Sequence, residues 1–332
     1  MKKALLPLMI ASILPTAAFA DVVVYGKASL AFEYTDLKNY TPGVSGGYTD
    51  VRNNESRLGV KGSEAINDDL KAIYQYELKI FADDGSTITQ RNTFVGLQGE
   101  FGTAKIGYFD TPLKLAQEKT DVFKDMIGDW KNVFNGETRS KNIIQYSTPV
   151  FFHSLTGNIA YVSSEQDFNN AVKSGYSASV VYDTKMVYVA LANDHNIDLA
   201  NANTSLTAAP SSPQLNVNIA RLVGRLTLGP VVLGAMYETY DNGVRNVKGD
   251  IKKDGVMLSG IYNFDDQWAA KAQYGSSDMK LIGGKTASVG VDYKMSKSTK
   301  VTGYFTSLKD DNAVVNNRHD DKWVGVAMDY TF

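Results

Sequence analysis

The sequence of 332 residues contains no cysteine. A protein of this size without cysteine has no disulfide framework, so its fold alone must hold it together. After residue 20, no stretch approaches the ~20 consecutive apolar residues of a membrane-spanning helix, so any membrane residence requires β-strands of about 10 residues. The chain also has no large excess of either charge sign, because 34 Lys and Arg nearly balance 36 Asp and Glu. This mild net charge gives no reason to expect a nucleic-acid partner.

The first residues have the pattern of a secretory signal peptide. Two lysines precede an apolar run from Ala4 to Pro15, and Ala18 and Ala20 provide small residues for cleavage. We therefore expect residues 1–20 to be a signal peptide and residues 21–332 to form one mature domain.

The last residues alternate between an apolar face and a small or polar face. Every even position from Val324 onward is apolar, and the printed sequence ends in Phe332. An alternating strand with an aromatic last residue is typical of the closing strand of an outer-membrane β-barrel.

Similar alternating segments recur along the chain, separated by connections that are long and short in turn. In residues 22–34, Phe32 and Tyr34 share one face, whereas Lys27 and Glu33 lie on the other. About sixteen such segments fit the template of a barrel with external loops and tight inner turns. We therefore predict an all-β fold, a sixteen-stranded antiparallel transmembrane β-barrel. A soluble β-sandwich is the alternative, since its half-buried strands alternate in the same way.

Two segments depart from regular alternation. Between residues 214 and 228 the apolar positions change parity near Ala220, which a β-bulge would explain, and Arg221 and Arg225 then face inward. In residues 90–98, Arg91 shares its parity with the apolar Val95. The pattern alone leaves the direction of Arg91 open.

The connection of residues 110–138 differs from the other long connections. Its apolar residues at helical spacing predict a short helix with one apolar stripe, formed by Phe123, Met126, Ile127 and Trp130. Four acids gather on the opposite face of that helix, namely Glu118, Asp121, Asp125 and Asp129. A stripe packed on the inner barrel wall would point these acids into the lumen and narrow the pore. The alternative is an external helix with a solvated acidic face.

Basic residues on the predicted inner face could oppose those carboxylates. Arg57, Lys61 and Arg139 are the first candidates, and together with the acids they would create a transverse field across the bore. Further inward-facing candidates are Lys27, Lys105, Arg221 and Arg225. Taken singly, each basic residue is equally compatible with an exposed charge at the rim.

Several sequence blocks resemble the general porins of Gram-negative bacteria, in particular the trimeric sixteen-stranded type. The matching blocks are Val24 to Lys27, Ser56 to Glu64, Leu70 to Glu77, Arg91 to Thr103 and Arg139 to Tyr146. The resemblance implies an outer-membrane channel for passive diffusion of small hydrophilic solutes and ions, with an inward-folded third external loop. It also implies a basic cluster of Arg57, Arg91 and Arg139 at the constriction. Where such porins often carry arginine this chain has Tyr108, so a strong anion preference is not implied.

The expected partners follow from the same resemblance. They are further copies in a homotrimer, outer-membrane lipid and lipopolysaccharide, and the barrel-assembly machinery, which would bind the strand ending in Phe332. No cofactor or metal is expected, and neither is enzymatic activity, because none of the three histidines is placed to activate a nucleophile. A sugar-specific channel of the same fold is the nearest alternative. It would require aromatic side chains along the lumen, for which Tyr25 and Phe109 are the candidates.

Overall fold

The structure, a computed structural model, describes residues 21–38, 46–85, 88–163, 166–167, 170–171, 174–198, 216–241, 252–278, 284–309 and 320–332. The expected signal peptide of residues 1–20 lies outside this range. None of the described helices has the length and apolar character needed to cross a membrane.

Sixteen antiparallel strands form a closed barrel, as predicted. The sheet contains eighteen segments because two strands are interrupted. The first eight strands are β1 Asp21–Leu37, β2 Gly46–Asn53 with Arg57–Asn67, β3 Leu70–Lys79, β4 Thr89–Gln90 with Thr93–Gly99, β5 Gly102–Asp110, β6 Arg139–Ser147, β7 Leu155–Val162 and β8 Gly175–Asp183. The others are β9 Val187–Asp198, β10 Asn216–Leu228, β11 Val231–Asp241, β12 Lys252–Asn263, β13 Trp268–Ser277, β14 Gly284–Lys294, β15 Thr299–Lys309 and β16 Asp320–Thr331. A small hairpin of Gln166–Asp167 with Asn170–Ala171 lies between β7 and β8.

The ring closes where β16 pairs with β1, and this closure is what excludes an open sandwich. The backbone of Phe332 exchanges two hydrogen bonds with Gly26, of 3.0 and 3.1 Å. A Cβ atom on Gly26 would lie 2.4 Å from the Phe332 ring, so the missing side chain of this glycine is what lets the ring lie there. The last aromatic side chain therefore packs directly on the first strand.

Side chains are sorted between the two faces as the alternation predicts. Phe32 is 62% exposed on the outer surface, whereas Ala31 and Glu33 on either side of it are buried inside. At the short turns, the ring of Trp268 stacks on Tyr293 with centroids 4.4 Å apart. An apolar exterior with aromatic residues at its boundary is the surface that a barrel presents to lipid.

Strand β10 is regular over residues 216–228, and the bulge predicted near Ala220 is wrong. Val217, Ile219 and Arg221 all point inward and are buried. The apolar positions of this segment change from odd to even numbers because Val217 and Ile219 pack inside the barrel, whereas the later apolar residues face lipid. The irregularity lies in the neighbouring strand β9, where the pairing register shifts between Asp194 and Ile197.

An interruption of β4 at residues 91 and 92 turns Arg91 inward. Val95 and Leu97 are 50% and 43% exposed outside, yet Arg91, of the same parity, contacts carboxylates on the inner face. Strand β2 is interrupted in the same way at residues 54–56, where Glu55 has a φ of 60°. Such interruptions re-aim side chains without changing the sequence pattern on either side.

Candidate functional site

Residues 111–138 join β5 to β6 and are called the inner loop below. They contain the helix α1 Pro112–Ala116 and the 3₁₀ turn Trp130–Asn132. The helix predicted over the acidic stripe is wrong, because residues 121–129 form successive turns. Side chains bind the backbone groups that a helix would use: Asp121 accepts from Phe123 N at 3.0 Å, and Asp129 accepts from Asp125 N at 2.9 Å. Aspartate is prone to such local competition with the helix.

The inner loop lies inside the barrel against strands β8–β14, which we call the anchoring wall. Ser177 Oγ accepts from Leu113 N at 3.1 Å, and Ser259 Oγ donates to Thr120 O at 2.6 Å. Gln273 makes two bonds, accepting from Val122 N at 2.9 Å and donating to Gly128 O at 3.1 Å. Wall side chains thus satisfy much of the loop backbone.

The predicted apolar stripe packs on the inside of the barrel, in part on this wall and in part, through Phe123 and Met126, on residues of β1, β15 and β16. Trp130 and Phe123 are fully buried, and the Trp130 ring lies 5.4 Å from that of Phe134. The ammonium of Lys271 lies 4.7 Å from the Phe123 ring centroid. The stripe therefore packs on the inner face of the barrel as predicted, even though it is not helical.

The four acids do not share one face, and within the described ranges only Asp125 reaches the opposite side of the bore. Its carboxylate lies 3.2 Å from Arg57 Nη1 and 3.5 Å from Lys27 Nζ. Burial raises the pKa of Asp125, but Arg57 and Lys27 outweigh it and hold the pKa at about 2. Asp125 is therefore ionised at any physiological pH.

The other three acids are placed differently from the prediction. Glu118 is exposed and pairs with Lys124. Asp121 is buried inside the loop, where burial and the charge of Asp129 raise its pKa. Asp129 is also buried, 3.5 Å from Lys131. These two aspartates accept hydrogen bonds from the loop backbone and do not line the lumen.

Strands β1–β6 face the inner loop and are called the opposing wall. All three arginines of the expected basic cluster lie on it. Arg91 Nε lies 2.7 Å from Glu77, and Arg91 also pairs with Glu55. Arg139 lies 3.0 Å from Asp110. Each of the three arginines on this wall has a carboxylate partner.

Sequence reasoning missed Glu55 and Asp110 as site residues. Glu55 bridges Arg91 and Lys79, with 2.6 Å to the lysine, and Asp110 is buried between Arg139 and Lys114. Both lie at strand ends or interruptions, where alternation carries no directional signal.

The remaining basic candidates, Lys61, Lys105 and Arg225, have three different environments. Lys61 is exposed, 5.2 Å from the Tyr25 ring, and forms no ion pair within the described part of the chain. Lys105 lies on the rings of Phe109 and Phe94, at 4.1 and 5.0 Å. Arg225 is half-buried opposite Tyr188.

Arg221 was predicted to face the lumen, and the structure places it differently. It faces inward as expected, but the inner loop covers it completely, and its side chain is 0% exposed. It therefore cannot line the open lumen in this arrangement.

Comparisons with known proteins agree with the barrel. A family model described as Gram-negative porin matches residues 7–313. Major outer membrane protein P.IB of Neisseria sicca is 26% identical over 90% of this chain and 91% of its own length. Outer membrane porin protein 32 of Delftia acidovorans is 26% identical, covering 94% of this chain and 91% of that protein.

Solved structures share the fold. The anion-selective porin from Comamonas acidovorans superposes with a TM-score of 0.75 at 20% identity, over 95% of this chain and all of that one. OmpF of Salmonella typhi, in complex with daunomycin, gives a TM-score of 0.69 at 19% identity, over 94% and 97% of the two chains.

This family and fold are those of a channel rather than of an enzyme. The sixteen strands, the apolar exterior and the match over most of the chain lead to one conclusion. The chain belongs to the Gram-negative porin family, the channel-forming β-barrels of the outer membrane.

Proposed function

We propose that the inner loop forms the constriction of a water-filled channel, through which small hydrophilic solutes and ions diffuse passively. The observation that carries this proposal is the 3.2 Å contact between Asp125 of the inner loop and Arg57 of the opposing wall. A loop that contacts both walls of a sixteen-stranded barrel reduces the free cross-section between them. Barrels of this size otherwise leave a wide aqueous lumen.

Ion selectivity at this constriction is expected to be weak. Arg57, Arg91 and Arg139 each lie within 3.2 Å of a carboxylate, so their charges are largely compensated at close range. Paired charges still orient dipolar solutes through a local field, but they attract neither ion sign strongly at longer distance. The exposed Lys61 adds a modest preference for anions.

A general pore is favoured over a sugar-specific channel. The inward-facing aromatic residues Phe109, Tyr188 and Tyr304 are buried by packing. Tyr25 donates its hydroxyl to Glu77 at 2.9 Å, so it too has a local structural partner. Stacking platforms for sugars need exposed ring faces.

The proposed assembly is a homotrimer with one pore in each subunit. In support, the trimer form of Vibrio cholerae OmpT shares this fold with a TM-score of 0.65. Contacts with lipopolysaccharide through the outer loops, and recognition of the strand ending in Phe332 by the barrel-assembly machinery, are part of the same proposal. Planar-bilayer insertions should then give conductance steps in groups of three, and single-step insertions would contradict the trimer.

The constriction itself is tested by cysteine labelling, since the chain has no native cysteine. We expect Asp125→Cys to lose current when a bulky thiol reagent is added, because the label would project into the narrowest part of the bore. Lys185→Cys, exposed in the turn between β8 and β9, is the matched control and should be insensitive. Equal insensitivity of Asp125→Cys would contradict a constriction formed by the inner loop.

A further inference from the structure

Arg221 of β10 binds both ends of the inner loop with a single guanidinium group. Its Nη1 donates to Leu113 O at 3.0 Å, and its Nη2 donates to Asn135 O at 2.9 Å. Between these contacts the guanidinium lies 5.0 Å from the ring centroid of Trp130. Leu113 lies at the start of the loop and Asn135 near its end. One wall side chain therefore brings together two points that are far apart in sequence.

Carboxyl groups from three elements surround this arginine. Glu238 of β11 accepts from Arg221 Nε at 2.5 Å, and both side chains are 0% exposed. Glu137 of the inner loop lies 3.6 Å from Nη1. Asp194 of β9 is buried and lies within electrostatic reach of the same guanidinium.

Arg221 supplies the positive charge that all three carboxyls share. Burial raises the pKa of Glu137, while the charges of Lys114 and Arg221 lower it and those of Asp129 and Asp110 raise it. Without Arg221 the three carboxyls around it would lose their shared counter-charge, and two loop carbonyls would lose their donor. Buried groups left in that state strongly disfavour the packed arrangement.

We propose that Arg221 is the positioning residue that fastens the inner loop to the anchoring wall and thereby holds the constriction in place. This inference rests on the proposed constriction. Fixing both loop ends at one point restricts the positions available to the residues between them, including Asp125. The planar fork of arginine can donate to three acceptors at once, which the ammonium of lysine cannot reproduce with the same geometry.

The proposal predicts a pH-dependent defect in Arg221→Met. At neutral pH the ionised carboxyls repel one another, so the loop should leave the wall and the open-channel current should fluctuate about tenfold more often than in the natural protein. As the pH falls toward about 4, the packed state with protonated carboxyls becomes increasingly favoured, the repulsion falls, and the current should fluctuate less. A residue with a purely structural role would not give a defect that acid reverses.

The experiment records single channels of Arg221→Met, Arg221→Lys and the control Lys294→Met at neutral and acidic pH. Lys294 is exposed at the end of β14 and loses the same charge away from the inner loop. Arg221→Lys should fluctuate less than Arg221→Met but more than the natural protein, and Lys294→Met should stay quiet. If the open-channel current of Arg221→Met at neutral pH fluctuates no more often than that of the natural protein, the proposal is overturned.

A disulfide tether separates movement of the loop from misfolding of the barrel. A Cβ atom on Gly284 would lie 3.9 Å from Val133 Cβ, close to the ~3.8 Å of a natural disulfide. Val133→Cys with Gly284→Cys, added to Arg221→Met, should suppress the fluctuations when oxidised and release them when reduced. If Arg221→Met alone does not insert, the oxidised triple variant provides the channel for the same comparison.

The outcomes distinguish this inference from the proposed function. Fluctuations that the closed tether does not suppress, while Asp125→Cys labelling still blocks current, would overturn the role of Arg221 and leave the constriction intact. Loss of labelling at Asp125 in the otherwise natural protein would overturn the constriction, and the proposed role of Arg221 with it.

Discussion

The anchoring wall and the opposing wall line the same barrel but hold the inner loop by different means. The anchoring wall offers buried groups: uncharged hydrogen-bonding side chains such as Ser259 and Gln273, the apolar surface of Val217 and Ile219, and the covered guanidinium of Arg221. The opposing wall offers charged side chains, of which Arg57 contacts Asp125. Close packing and satisfied backbone groups stabilise a fixed position, whereas charges beside water act on mobile solutes. The anchoring wall therefore stabilises the position of the inner loop, and the opposing wall is expected to influence which solutes pass.

The largest effect is expected from Trp130→Ala, which removes the ring packed on the anchoring wall. Truncating a buried aromatic side chain of this size costs about 3 to 5 kcal/mol. Because Trp130 also lies beside Arg221, the loop should lose part of its fastening as well. Denaturant unfolding in detergent, followed by circular dichroism, measures the loss. Trp268→Ala on the outer surface is the control, and an equal loss there would contradict the assignment.

Gln273→Leu should have the next largest effect on stability. It leaves Val122 N and Gly128 O without their wall partner. An unsatisfied buried group costs about 1 to 3 kcal/mol. The same unfolding measurement should show this loss together with more frequent current fluctuations. Gln98→Leu, exposed on the β4 to β5 hairpin, is a matched control that should change neither quantity. A stable and quiet Gln273→Leu channel would remove this residue from the anchoring wall.

Asp125→Asn should change selectivity more than stability. It leaves Arg57 and Lys27 without their shared carboxylate, so the reversal potential in a salt gradient should move toward anion preference. Because the low pKa of about 2 keeps Asp125 ionised in the natural protein, the stabilisation it provides is lost only as the pH falls toward that value. The difference between variant and natural protein should therefore stay constant from about pH 5 to 8.

Glu118→Gln is the control for that measurement, because Glu118 is exposed and pairs with Lys124 of its own loop. Its reversal potential should shift less than that of Asp125→Asn. A larger shift for Glu118→Gln would show that the opposing wall does not determine selectivity.

Lys61→Gln should give the smallest change. Lys61 is exposed and has no ion pair in the part of the chain that the structure describes, so its loss should leave unfolding unchanged. A slight movement of the reversal potential toward cations is expected, since an exposed charge is screened by salt. A shift that persists at high salt would contradict this screened position.

Alternation predicted the barrel well because a strand places successive side chains on opposite faces, whatever lies further away. Phe32 and Glu33 were assigned to the correct faces from their positions alone. The prediction failed at Val217 and Ile219, because an inward face covered by the inner loop is apolar too. It left Arg91 open because an interruption resets the alternation, and the residues on either side of it do not reveal this.

The site was less predictable than the fold. The sequence indicated that the stripe around Trp130 needs a surface to pack on, and it named Arg57 and Asp125 as opposed charges. It did not indicate that Asp121 and Asp129 would bind the loop backbone, nor that Arg221 would be covered by both loop ends. The Arg221 contacts join residues distant in sequence, so no local pattern records them. The aspartate contacts are local, but the same spacing of residues also allows a helix.

Local chemistry by itself determined the strands, their faces and the aromatic boundary, because these depend on side-chain alternation and on the polarity of lipid and water. Only the tertiary structure decided which charges meet. Closing the ring around the inward-folded loop brings β10 against a loop that begins after β5, and the contacts of Arg221 with both loop ends, and of Asp125 with Arg57, follow from that arrangement.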